Sequence, residues 1–175
     1  MFHNYLNVRQ YGVWEGRTVW KHLSPMFWSV WNGFIGAENP LDFYTDFGSV
    51  PRHFHMYDAF GGRCNAPADG HDLLYRKGAQ IFVDINQWPN IEFPEEAEQW
   101  LKSVSESGSG WYADFPQALS DYIFRQLMIE DGEPINIYAP MYLAVRAKGA
   151  SSFHKFNVMD KLPCERIYYV QEIKI

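Results

Sequence analysis

The sequence predicts an α+β fold: N-terminal antiparallel β hairpins or sheet packed against three to four short helices, with a C-terminal strand. Three observations predict it. Residues 8–50 hold short alternating and aromatic runs broken by Gly and Pro. From residue 70 onward apolar residues recur at i, i+3 and i+4. Residues 166–175 return to alternation, with Tyr169, Gln171, Ile173 and Ile175 opposite Tyr168, Val170, Glu172 and Lys174.

Taken in order, the run from Val13 to Trp20 reads as a hairpin turning at Glu15-Gly16. Residues 27–35 read as a strand, with Phe27, Ser29 and Trp31 on one face and Trp28 and Val30 on the other. Residues 36–40 carry Gly, Asn and Pro and read as a turn. A further strand is expected over residues 41–47, ending at Gly48-Ser49-Val50-Pro51, where Pro51 biases Val50 to an extended backbone. Residues 52–70 look irregular, with Gly61-Gly62 and Pro67. Asp69 suits the N-cap of a helix over residues 70–76, in which His71, Leu74 and Tyr75 share a face.

Residues 79–85 read as a short strand. Pro94-Glu95-Glu96 opens a helix carrying Trp100, Leu101 and Val104, its acids favoured by the helix dipole. Residues 103–110 are rich in Ser and Gly and are expected to be mobile. Asp114 suits the cap of a helix over residues 115–129, with a Leu119, Ile123, Leu127 stripe widened by Tyr122 and Met128. Gly132 and Pro134 stop it. Residues 138–148 form the last helix, with Leu143 and Val145, ended by Gly149. There is no internal repeat and no linker composition, so residues 1–175 read as a single domain.

The charge balance narrows the partners. The net charge is -6, and phosphate binding needs a basic face, so nucleic acid is not the expected partner. No apolar run is long enough for a membrane span. The opening Met1-Phe2-His3-Asn4 lacks the basic-then-apolar pattern of a signal peptide. Cys64 and Cys164 match no zinc spacing, and both are expected as free thiols. Aromatic residues make up 18%, more than a core of this size needs, which suggests interface or sugar contacts besides an aromatic-rich core.

One constellation could do chemistry. A helical His71 can act as a general base on water if a carboxylate fixes its tautomer. Asp72 is adjacent and points about 100° away on a helix, so it is the wrong partner. Asp121 is the right one if its helix packs against that of His71, and Tyr75 lies on the His71 face. Asp72, with Asp46, is then available to hold Ca²⁺. Asp46 and Ser49 can equally serve backbone N–H groups at a tight corner, with Arg52 paired to a carboxylate. His53 and His55 share a face at i, i+2 but lack a third ligand. His3, His22 and His154 are isolated and draw no assignment.

The helical His71-Asp72-x-x-Tyr75 with a distant Asp121 resembles the secreted phospholipase A2 pattern, without that family's flanking cysteines and with a different glycine loop. A broader resemblance spans residues 10–153. Thr45-Asp46-Phe47-Gly48-Ser49-Val50-Pro51-Arg52, His71-Asp72-Leu73-Leu74-Tyr75-Arg76, the Asp121 to Met128 stretch and Tyr142-Leu143-Ala144-Val145-Arg146-Ala147-Lys148-Gly149 run in order. Together they resemble the phage and prophage family catalogued as domain of unknown function 1353. Against that pattern residues 77–110 look like an insertion and residues 154–175 like an extension.

The resemblance implies a viral or prophage origin and an α+β fold, and together with the aromatic surplus, the 77–110 insertion and the extra C-terminal strand it motivates a phage-encoded, virion-associated protein, a tail, neck or fibre-attachment component. Such a protein would be made in the host cytoplasm, assemble with other virion proteins and act through protein contacts. It also marks Arg52, Arg76 and Arg146, which with Asp46, Asp72 and Asp121 could form a balanced ion network. The alternative is a small cell-envelope hydrolase, phospholipase A2-like, with His71 as base, Asp121 as its orienter and Tyr75 beside them. That alternative calls for a His71 ring within hydrogen-bond reach of Asp121 and open to solvent.

Overall fold

The computed structural model describes residues 1–14, 17–47, 65–151 and 153. Strands β1 (Val8–Trp14) and β2 (Arg17–His22) form the expected antiparallel hairpin, and the short β5 (Tyr44–Thr45) adds to β2. The second sheet has four strands, β3 (Met26–Val30), β4 (Ile35–Asn39), β6 (Ile81–Val83) and β7 (Gly110–Tyr112), in that spatial order and antiparallel throughout. Among the described residues four helices follow or interleave: α1 (Asn65–Leu74), α2 (Glu95–Ser105), α3 (Gln117–Glu130) and α4 (Ile135–Lys148). The fold is α+β, as the alternation and periodicity predict.

Several local expectations are corrected. The strand expected over residues 27–35 ends at Val30. Trp31, Asn32 and Gly33 take left-handed backbone, with φ of 51°, 54° and 90°, and turn the chain back. The turn expected over residues 36–40 is strand β4, because Ile35, Ala37 and Asn39 alternate inward. Gly36 fits there because a Cβ would lie 3.0 Å from the Trp28 carbonyl oxygen. On β3 the inward face is Met26, Trp28 and Val30, while Phe27 is exposed. The strand expected over residues 41–47 shrinks to Tyr44–Thr45.

Helix ends also move. α1 starts at Asn65, so Asp69 is mid-helix and buried, not a cap. Pro67 falls in the first turn, where a missing N–H costs nothing. α3 starts after Pro116; Asp114 sits outside it with φ 55°. Its C-terminus is a Schellman motif: Glu133 N–H donates to Met128 O at 2.9 Å and Gly132 N–H to Ile129 O at 3.1 Å. α4 begins three residues earlier than expected and tolerates Pro140 inside it. Its buried face is Ile137, Met141, Ala144 and Val145, and Leu143 points outward. α2 runs through Ser105, into the stretch expected to be mobile.

The main core lies between the four-stranded sheet and helices α1, α2 and α3. Trp28, Phe34 and Ile35 meet the Leu119, Ile123, Leu127 stripe and Leu101. Residues 77–110 are integral to it, since Ile81, Val83, Ala97 and Leu101 are fully buried. A second cluster joins Phe47 and Ala68 to Phe124 and Met128 of α3 and Met141 and Val145 of α4. Among the described residues no helix is long and apolar enough to cross a membrane. The expected tail strand, Cys64, Cys164, Ser49, Arg52, His53, His55 and Gly61-Gly62 lie outside the described residues.

Candidate functional site

Helix α1 is the centre of the polar interior. Gly70 lets it approach both neighbours: a Cβ there would lie 3.1 Å from Leu127 Cδ1 and 3.2 Å from Trp28 Nε1. At about 100° per residue, positions 69 and 71 point to nearly opposite sides of the helix. Asp69 therefore faces the sheets and His71 faces α3. Each meets a partner of the complementary kind.

On the α3 side, His71 Nε2 lies 3.0 Å from Asp121 Oδ1. The Tyr75 hydroxyl donates to the same oxygen at 2.6 Å. Gln117 Nε2 donates to Asp121 Oδ2 at 3.1 Å and to the Tyr75 oxygen at 3.2 Å. Arg146 Nη1, from α4, donates to Oδ2 at 3.2 Å. The imidazole is clamped between the Tyr75 and Phe124 rings, with centroids 4.2 and 4.6 Å away. Gly149 closes the corner, because a Cβ there would overlap the Tyr75 hydroxyl and sit 2.8 Å from Gln117 Nε2. The sequence-predicted His71, Tyr75 and Asp121 thus converge, and the neighbouring Arg146 joins them.

The electrostatics set the protonation states. Burial pushes the His71 imidazole below its usual value, against the pull of Asp121. Burial also works to raise Asp121, but bonds from His71, Tyr75 and Arg146 overcome it and hold the carboxyl below its ordinary range. Burial, and then the Asp121 charge, raise the Tyr75 phenol, so it stays protonated. A neutral His71 facing a carboxylate must donate through Nε2, which leaves a lone pair on Nδ1. Nδ1 is buried and, like His22 Nδ1, has no hydrogen-bond partner among the described residues. The ring itself is only 1% exposed, so the expected opening to solvent is not met. Burial follows from the position of residue 71 between α3 and the second core cluster.

The other predicted residues have different roles. Asp72 accepts from Thr45 Oγ1 at 2.5 Å, and Thr45 Oγ1 in turn accepts from the Phe47 N–H at 3.0 Å, which ties α1 to the end of β5. Asp46 is half-buried on the same corner. Among the described residues no three His, Cys, Asp or Glu groups gather as a metal site, so Asp72 and Asp46 acquire no third such ligand for Ca²⁺. Arg76 is buried, donates to the Tyr44 carbonyl at 2.7 Å and lies 5.3 Å over the Phe43 ring, so it too fastens α1 to β5.

On the sheet side lies a cluster that sequence reasoning missed. His22 Nε2 is 3.0 and 2.9 Å from the two Asp69 oxygens. Asn39 Nδ2 donates to Asp69 Oδ2 at 2.7 Å and to the Asp69 backbone carbonyl at 3.0 Å. The Trp28 indole donates to Asn39 Oδ1 at 3.0 Å. His22, Asn39 and Asp69 are fully buried. Burial raises the Asp69 carboxyl, while His22 and Asn39 pull the other way. The available signal was Asp69 set among Ala66, Ala68 and Gly70: a carboxylate amid small residues is closely packed and needs a partner.

No curated protein and no solved structure matches the chain. The family described as "Protein of unknown function (DUF1353)" matches residues 37–145, more than half of the sequence and inclusive of α1, α3 and most of α4. The span takes in Asp69, His71, Tyr75 and Asp121, and the chain belongs to this family.

Proposed function

We propose that the chain is a small hydrolase in which His71 acts as general base on water only after its cover opens, because the closed ring, 1% exposed, does not meet the requirement of a solvent-open imidazole. One observation carries the reading: a neutral, clamped imidazole donates a hydrogen bond from Nε2 to Asp121 and has an Nδ1 lone pair without a partner among the described residues, in a cluster that Arg146 links to the surface. Leaving a buried polar atom without a partner costs about 1–3 kcal/mol, which a bound water would relieve. A water bound there loses its proton to Nδ1 as its oxygen attacks an ester or amide carbonyl. Asp121 stabilises the imidazolium that forms, and the proton passes to the leaving group as the carbonyl–heteroatom bond breaks. Tyr75, Gln117 and Arg146 hold the Asp121 carboxylate in place. Since the ring is covered, substrate entry requires the cover over Nδ1 to open. Cell-envelope esters and amides are the substrate class in view.

The test is turnover of phosphatidylglycerol vesicles and of peptidoglycan sacculi by the purified chain, with and without calcium. His71→Gln lowers the rate by about 10²–10⁴ if His71 is the base. The acid limb of the rate profile falls below pH 6.5, the ordinary histidine value, because burial lowers the His71 pKa. Wild-type rates in His71→Gln, or no turnover of either substrate, overturn the reading. A chain without turnover that co-purifies with phage particles returns the assignment to the virion-assembly role.

A further inference from the structure

A pocket of about 470 Å³ opens away from the His71 corner, between the β3–β4 turn, the segment after β6 and the C-terminal end of α3. Its walls include Trp31 and Asn32 from the turn, Gln87 and Trp88 from the second segment, and Gln126 and Glu130 from α3. With Asn86, Pro89 and Ile91 the lining comprises two indoles, four side-chain amides, one carboxylate and two aliphatic side chains. Among the described residues no lysine or arginine lines it, and Glu130 is already engaged by the Trp31 N–H, Gln126 and the Met1 amino group. The pocket therefore offers no charge to a phosphate or a metal ion.

The pocket is held in shape. Trp88 is 38% exposed, yet it rests against Phe34 and Phe93, with centroids at 5.1 and 6.4 Å. A braced and half-open indole is a stacking platform that loses little freedom on binding. Trp31 packs behind it on Phe93 and Tyr122 at 5.2 and 5.6 Å. The left-handed backbone of Trp31 and Asn32 is uncommon for residues with side chains, and a bulky Trp there is an outlier. It persists because Glu130 Oε1 accepts the Trp31 N–H at 3.0 Å while Gln126 Nε2 donates to the same oxygen at 2.9 Å. Strained backbone of this kind is often found at ligand-binding walls.

From this juxtaposition we infer that the pocket binds a neutral saccharide. A sugar ring has an apolar face of C–H groups that lies flat on an indole. Its rim carries hydroxyls that both donate and accept, and side-chain amides do the same. The inference is independent of the hydrolase reading, since the pocket shares no residue with the His71 corner.

The experiment titrates the full chain with N-acetylglucosamine, N,N′-diacetylchitobiose and maltotriose, reading tryptophan fluorescence. At least one sugar is expected to shift the signal, with half-saturation on the order of millimolar or below. Trp88→Ala is expected to weaken binding about tenfold or more. Asn32→Gly keeps the left-handed backbone, removes only the amide and is expected to weaken binding as well, with an unchanged unfolding midpoint. No response to any of the three sugars, or wild-type affinity in both variants, overturns the inference. Hydrolytic turnover unaltered in these variants is expected, so failure of either proposal is visible separately.

Discussion

Helix α1 carries one member of each of two buried His–Asp pairs, and the pairs are built the opposite way round. In the first, α1 supplies the acid, Asp69, to His22 of β2. In the second it supplies the imidazole, His71, to Asp121 of α3. The surroundings differ more than the pairs do. Asp69 is served by His22, Asn39 and Thr45, all sealed from water, with no arginine among the described residues of the cluster. Asp121 is served by Tyr75, Gln117 and Arg146 as well as His71, and the Arg146 side chain is 36% exposed. The first pair is a closed fastening between layers. The second has a polar route from its carboxylate to the surface, which is what a working site needs.

That contrast is open to attack. The largest effect is expected from Asp69→Ala, which strands His22 and Asn39 in the core and costs about 3–5 kcal/mol. Asp121→Ala is expected to cost less, about 2–3 kcal/mol, because Arg146 and Tyr75 can turn to water. Urea unfolding measures both, and a reversed order would break the comparison.

Next come the two glycines. Gly149→Ala drives a Cβ into the Tyr75 hydroxyl and costs about 1–3 kcal/mol. Gly70→Ala meets only the flexible end of Leu127 and the edge of Trp28, at 3.1 and 3.2 Å, and costs about 1 kcal/mol. Gly149→Ala should also displace Tyr75 from Asp121 and lower any hydrolytic rate, whereas Gly70→Ala presses on the Trp28–Asn39 side. Equal loss of rate in the two would remove the distinction.

The smallest effect is a difference in pH slope. Asp69 is raised above 3.8, so the folded state binds its proton more tightly and stability falls as pH rises through that window. Asp121 is lowered, so its contribution is present above 3.8 and is lost as pH falls through its lowered value. Asp69→Asn should therefore gain stability more steeply than wild type on going up from about pH 4. Asp121→Asn should lose less than wild type on going down from there. Thermal unfolding across pH 3–6, about the range where carboxylates titrate, reads both.

The second pair was legible in the sequence and the first was not, for a physical reason. His71 and Tyr75 stand four residues apart, so their spacing announces a shared helical face, and Asp121 interrupts an apolar stripe where a buried acid needs a partner. His22 and Asn39 lie on different strands, in different sheets, and meet Asp69 only once the layers stack. The β4 strand was hidden for a related reason. Its Gly36 and Asn39 have turn composition, yet Gly36 is there to admit Trp28 and Asn39 to bridge Trp28 and Asp69. Residues that serve tertiary contacts look locally like breakers. Long periodic elements such as α3, whose order is set along one helix, were the easiest to read.

Gly70, flanked by Asp69 and His71, has a consequence for how the molecule comes apart. His22 belongs to one sheet, Asn39 and Trp28 to the other, and Asp121 to α3, so the three-residue segment on α1 is bolted to every layer. A slip of α1 by one residue would empty both pairs at once. Peeling off either sheet would leave an acid in an apolar setting. The layers can therefore neither slide nor melt in turn, and the polar interior makes the unfolding of the two sheets and α3 a single cooperative event.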